Sequence, residues 1–90
     1  MAWRIEFADT ARKDLAKLDK QAQARILRFL RERVAPSQHP TDFAAPLKRD
    51  LSGLWKIRVG DYRLIVEIVD EQVLVLVLKV GHRRRVYGGH

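Results

Sequence analysis

Between Leu54 and Val80 the chain runs through three stretches rich in β-branched and aromatic residues: Leu54 to Val59, Tyr62 to Val69 and Gln72 to Val80. They are broken only by Gly60-Asp61 and Asp70-Glu71, connections too short for a crossover, so the three strands must be antiparallel neighbours. Glycine in the first position of Gly60-Asp61 suits a type II′ or I′ turn, and this sets a register in which Val59 faces Tyr62 and Arg58 faces Arg63. Alternation along the strands then puts Lys56, Arg58 and Arg63 on one sheet face and Trp55, Ile57, Tyr62 and Leu64 on the other. The unbroken apolar run from Val73 to Leu78 predicts a strand covered on both faces for much of its length.

The N-terminal half has a different period. Trp3, Ile5 and Phe7 alternate with Arg4 and Glu6, the pattern of a short outer strand with one buried face. Asp9 or Thr10 is placed to cap a helix carrying Ala11, Leu15 and Leu18, and Asp19 to cap a second carrying Ala22, Ile26, Leu27, Leu30 and Val34. The tight link at Asp19-Lys20 folds the two into a helical hairpin. Its polar side holds Arg12, Lys13, Lys17, Lys20, Arg25, Arg28 and Arg31 with only Asp14 and Glu32 among them, and the plain reading of that side is a solvated surface. Prolines, Ser37, His39 and Thr41 break the periodicity from Ala35 to Pro46, which reads as a loop. The expected fold is therefore α+β. A small antiparallel sheet of about four strands carries the N-terminal α-helical hairpin on one face, in the order β-α-α-β-β-β, as a single domain over residues 1–90.

Composition narrows what such a domain can do. Ninety residues bury a thin core, so any active site should be shallow. Eighteen Lys and Arg against eleven Asp and Glu give a net charge of +7, which calls for a polyanionic partner: nucleic acid, an acidic protein or an anionic membrane surface. There is no cysteine, so neither disulfides nor a thiolate zinc site, and a reducing cytoplasm fits. His39, His82 and His90 lack the spacing of metal ligands, and neither a metal nor another cofactor is expected. The N-terminus has no apolar leader, and the Val73 to Leu78 run is far short of the roughly 20 residues that cross a bilayer, so neither secretion nor membrane insertion is expected.

Lys56, Arg58 and Arg63 on one face repel one another, by up to about 1 kcal/mol for a directly opposed pair, unless an anion bridges them or they splay into solvent beside carboxylates such as Glu67. Directly after the last strand, Gly81 to Tyr87 packs an imidazole, three guanidiniums and a phenol into one short segment. This is either a frayed basic end or a tail that closes on the cationic face. Guanidinium forks match phosphate oxygens, and Tyr or Arg planes stack on unpaired bases. RNA carries its own nucleophile in the 2′-hydroxyl, so cleavage without metal needs only a base, cations around the phosphorane-like transition state and an acid for the leaving 5′-oxygen. Lys56, Arg58 and Arg63 suit the electrostatic part. Imidazole changes charge near neutral pH, which makes His82 a candidate acid or base. The Tyr87 phenol needs its pKa brought down from about 10, as neighbouring cations favour, and the Arg83 guanidinium gives up a proton only reluctantly. Carboxylate pairs, Ser/His/Asp sets and Gly-rich phosphate loops are not recognisable.

Three segments carry a family likeness: Leu47-Lys48-Arg49-Asp50-Leu51-Ser52-Gly53-Leu54-Trp55-Lys56-Ile57-Arg58, then Gly60-Asp61-Tyr62-Arg63-Leu64, then Gly81-His82-Arg83-Arg84-Arg85-Val86-Tyr87. Together with the preceding strand and helices, the chain resembles the RelE toxins of the RelE/ParE toxin-antitoxin superfamily. The resemblance implies a ribosome-dependent endoribonuclease that cuts mRNA in the ribosomal A site without metal. It further implies an acidic RelB-like antitoxin partner, with operator DNA reached only indirectly through the antitoxin complex. The family's functional positions fall on Lys56, Arg58, Arg63, Arg83 and Tyr87, with His82 as a further catalytic candidate and Lys48, Arg49, Arg84 and Arg85 as RNA-binding candidates. His82 stands where the best-known member has lysine, Arg58 replaces a second lysine, and the Arg83 to Tyr87 segment is shorter, which leaves base and acid unassigned. The alternatives within the resemblance are a ParE-like toxin that binds DNA gyrase and a non-catalytic relative that only binds RNA or its antitoxin. A convergent phosphate site favours RNA chemistry, because a gyrase-binding surface has no need of one.

Overall fold

A computed structural model describes residues 2–47 and 53–82. In chain order the elements are β1 (Arg4–Phe7), α1 (Asp9–Ala16), α2 (Lys20–Phe29) running into a π-helical turn (Leu30–Val34), a 3₁₀ turn (Pro40–Phe43), β2 (Ala44–Pro46), β3 (Leu54–Val59), β4 (Tyr62–Val69), a second 3₁₀ turn (Asp70–Gln72) and β5 (Leu74–His82). The sheet has five strands in the order β1-β5-β4-β3-β2. The α+β class and the helical hairpin over one sheet face agree with the expectation; the strand count and the all-antiparallel sheet do not. β1 lies parallel to β5, because a helical hairpin rather than a tight turn follows it and its direction is not bound by a hairpin.

The loop expected from Ala35 to Pro46 contains β2, which pairs antiparallel with β3. Its composition hid it because tertiary contacts hold it in place: Pro40 is buried, and Phe43 meets Phe29 of α2 edge-on with ring centroids 5.9 Å apart. β5 begins at Leu74 rather than Gln72, since Val73 closes the preceding 3₁₀ turn with a left-handed φ of 50° that no strand residue adopts. Cover on its second face is partial: Val75 and Val77 are fully buried, whereas Leu76 and Leu78 are only half-buried.

Neither Asp9 nor Thr10 caps α1. Ala8 takes the N-cap position without a side-chain bond, Asp9 lies in the first turn where its charge suits the helix dipole, and the Thr10 hydroxyl donates to the Leu78 carbonyl at 2.7 Å. The Asp14 carboxylate accepts the Val80 N–H at 3.1 Å, so α1 is tied to β5 at both ends. Asp19 does cap α2, its Oδ1 accepting the Ala22 N–H at 2.8 Å. Asp19→Ala is expected to cost about 1 kcal/mol, read as a thermal midpoint lower by roughly 4–8 °C, while Asp19→Asn keeps most of the cap. In the core, Ala11, Ile26, Leu30 and Val34 of the helical layer meet Ile57, Leu64, Val66, Val75 and Val77 of the sheet.

Candidate functional site

On the face away from the helices, side chains cross the sheet in rows. Nearest the β3–β4 turn Arg58 opposes Arg63, and Arg63 opposes Gly81 of β5. The next row is Lys56, Ile65 and Lys79, and beyond it come Leu54, Glu67 and Leu76. The register of β3 on β4 is the one the Gly60-Asp61 turn predicts, and it gathers Lys56, Arg58 and Arg63 on one surface. Arg58 and Lys79 are exposed; Lys56 and Arg63 are half-buried. Directly opposed Cβ atoms stand about 4.5–5.5 Å apart, so the Arg58–Arg63 pair concentrates positive potential at the hairpin end. Gly81 adds no side chain to that row. Glu67 lies two rows from the arginine pair, beside the lysines, and does not oppose either arginine.

Lys79 is a cation that strict alternation hides. Counting by twos from Val75 and Val77 sends Lys79 into the core, but the pairing slips between Ile65 and Val66, and Leu78 becomes an extra residue in β5. Val77 and Val80 both face the helices as a result, and Lys79 turns outward. A lysine between two buried valines is the sequence signal for this face switch. The same slip carries His82 away from the cationic rows. It pairs with Tyr62 on the helix-facing side, where the two rings meet edge-on at 5.8 Å. Arg83, Arg84, Arg85 and Tyr87, like Lys48 and Arg49, lie outside the described residues.

Gly60 holds the turn with a φ of 61°, a conformation that costs roughly 1–2 kcal/mol with a side chain present. The Arg25 guanidinium lies over the turn from α2, its Cζ 2.7 Å from where a Cβ on residue 60 would stand; as the far end of a flexible side chain it can move aside, so the positive φ is what requires glycine. Among the described residues no three of His, Cys, Asp or Glu come together in a way that could hold a metal ion.

A family model described as the ParE toxin of type II toxin-antitoxin systems (parDE) matches residues 5–87. Toxin RelG of Mycobacterium tuberculosis is 37% identical over 87 residues, covering 97% of this chain and 98% of that protein. The chain belongs to the RelE/ParE toxin superfamily. Another relative of this RelE-type toxin is the mRNA interferase toxin RelE of Escherichia coli K12, 31% identical with 94% of this chain and 87% of that protein covered. Among solved structures, the RelBE2 toxin-antitoxin complex of M. tuberculosis contains a chain that superposes with a TM-score of 0.83 at 35% identity, covering 92% of this chain and 93% of that one. The E. coli RelBE toxin-antitoxin complex gives a TM-score of 0.71 at 28% identity, covering 90% of this chain and 96% of that one. Among the described residues of this RelE/ParE toxin no helix is long and apolar enough to cross a membrane.

Proposed function

We propose that this toxin is a metal-free endoribonuclease that cuts mRNA in the A site of the ribosome and is held inactive in the cytoplasm by an acidic RelB-like antitoxin. The observation that carries the reading is the opposed Arg58–Arg63 pair beside Lys56 and Lys79 on the sheet face away from the helices. Cations gathered in this way repel one another, and a phosphate among them attracts each. In the reaction the 2′-oxygen attacks the adjacent phosphorus as its proton passes to a base. The bond from phosphorus to the 5′-oxygen breaks, that oxygen takes a proton from an acid, and the products are a 2′,3′-cyclic phosphate and a 5′-hydroxyl. Arg58 and Arg63 stabilise the charge that develops on the equatorial oxygens, Lys56 and Lys79 hold the neighbouring backbone, and Arg83 and Tyr87 complete the site, with Tyr87 serving proton transfer; His82, against Tyr62 on the other face of the sheet, is not assigned a catalytic role. Lys48, Arg49, Arg84 and Arg85 add contacts to RNA.

RelB–RelE complexes among the structural neighbours support the antitoxin, since an acidic segment laid over these rows relieves the same crowding that a phosphate does. The ParE description of the matching family model favours a second reading, a gyrase-binding toxin. Purified toxin in a translating extract, with mRNA ends mapped by primer extension and gyrase supercoiling assayed in parallel, separates the two. Cuts confined to translated codons are expected. Intact mRNA with poisoned gyrase would overturn the endoribonuclease reading.

A further inference from the structure

A cleft of about 320 Å³ opens between the outer side of α2 and the end of the β3–β4 hairpin. Arg25, Arg28 and Arg33 line it from the helical side and Arg58 and Gly60 from the hairpin, with Glu32 as the one carboxylate among its lining residues. Arg25 and Arg28 are three residues apart and share a helix face. Phe29 and Arg33 follow Arg25 by four and eight residues, the spacing of one helix face, and Arg33 lies in the π turn closed by the 2.8 Å bond from the Ala35 N–H to the Leu30 carbonyl. The Arg25 guanidinium meanwhile occupies the place a side chain on residue 60 would take. Among the described residues none of these four arginines forms an ion pair.

The solvated-surface reading of the helical polar side does not account for two of its cations, Arg25 and Arg28, converging with Arg33 and Arg58 on one cavity. We propose that the cleft binds the phosphodiester backbone of an RNA strand away from the bond that is cut. For the identity of its ligand the proposal rests on the endoribonuclease reading of the open sheet face. All four cations are guanidiniums, whose planar forks pair two-to-two with the oxygens of phosphates or carboxylates. Two further observations favour RNA over an acidic protein. Phe29 and Val59 give the cleft an apolar lining beside those forks, suited to a sugar or base edge. Arg58 belongs both to this cleft and to the Arg58–Arg63 row, so the cationic surface continues round the hairpin end and one RNA strand can follow it from one phosphate site to the next.

The test measures binding of a fully 2′-O-methylated RNA 12-mer, which cannot be cut, and of a hairpin RNA of the same chemistry, across a salt series. The variant Arg25→Gln/Arg28→Gln/Arg33→Gln should bind roughly 10- to 100-fold more weakly than wild type. The slope of log affinity against log salt should fall by about 2, as three lost phosphate contacts at about 0.7 each require. Arg25→Lys/Arg28→Lys/Arg33→Lys should restore the slope and part of the affinity. A loss on the single strand alone assigns the cleft to extended message; a loss on both assigns it to the backbone of folded RNA as well. Wild-type affinity and slope in the glutamine variant would overturn the proposal, as would a loss that lysine does not rescue. Undiminished RNA binding with a weakened hold on the antitoxin would transfer the cleft to a protein partner and also overturn it. A wild-type toxin that binds RNA through the cleft yet leaves mRNA intact in the translating extract defeats the endoribonuclease reading alone. Message cleavage with cleft variants that bind RNA as wild type does defeats only this inference.

Discussion

Arg58→Ala is expected to lower mRNA cleavage by about 10²- to 10³-fold without unfolding the protein, because it removes one of the two guanidiniums opposed across β3 and β4. Its effect on stability has the opposite sign. Arg58 is exposed and forms no ion pair among the described residues, so its loss relieves cross-strand repulsion worth up to about 1 kcal/mol before solvent and salt screening. Half that amount is a rise of roughly 2–4 °C in thermal midpoint for a domain of this size. Cleavage in a translating extract and thermal unfolding followed by circular dichroism, on the same preparation, read the two effects. A slower, equally or more stable variant marks a residue kept for the phosphate. Cleavage at the wild-type rate would remove Arg58 from the site, and a marked loss of stability would mean that it serves the fold.

The next residue behaves in the reverse way. Ile57 is fully buried between Ala44 of β2 and Leu64 of β4, beneath the helices. Ile57→Ala should cost about 2–5 kcal/mol, through lost burial and the cavity left behind. Small domains hold about 5–15 kcal/mol in all, so a loss near 3 kcal/mol lowers the thermal midpoint by roughly 12–24 °C. Ile57→Val should cost only about 0.5–1.5 kcal/mol. Urea unfolding at unchanged m-value measures both. Below the new midpoint, cleavage per folded molecule should stay within a few-fold of wild type, since the Ile57 side chain points away from the cationic rows. A loss under 1 kcal/mol for the alanine variant would show that the core closes over the gap.

These adjacent residues show why part of this molecule could be read from its sequence. Along β3 the period-two pattern is strict, and the Gly60-Asp61 turn ties it to β4, so the sharing of a face by Lys56, Arg58 and Arg63 follows from local chemistry. The Asp19 cap is local in the same sense, a carboxylate three residues from the N–H it accepts. Asp9 and Thr10 carried an equally good capping signal that did not operate, because the Thr10 hydroxyl finds a strand carbonyl 68 residues away in sequence. β2 was hidden for a related reason. A three-residue strand has too little pattern of its own, and its place comes from β3 and from the packing of Phe43 on Phe29.

The amino-acid sequence by itself determines the α+β class, the helical hairpin, the register of β3 on β4 and the cationic face that goes with it, since each depends on neighbours a few residues apart. Only the tertiary structure decides the parallel pairing of β1 with β5, the slip at Leu78 that turns Lys79 outward and His82 toward Tyr62, and the convergence of Arg25, Arg28 and Arg33 on Arg58. Those features join parts of the chain whose spacing no local periodicity constrains. They are selected by the need to seat Val77 and Val80 together in one thin core while the charged side chains beside them reach water.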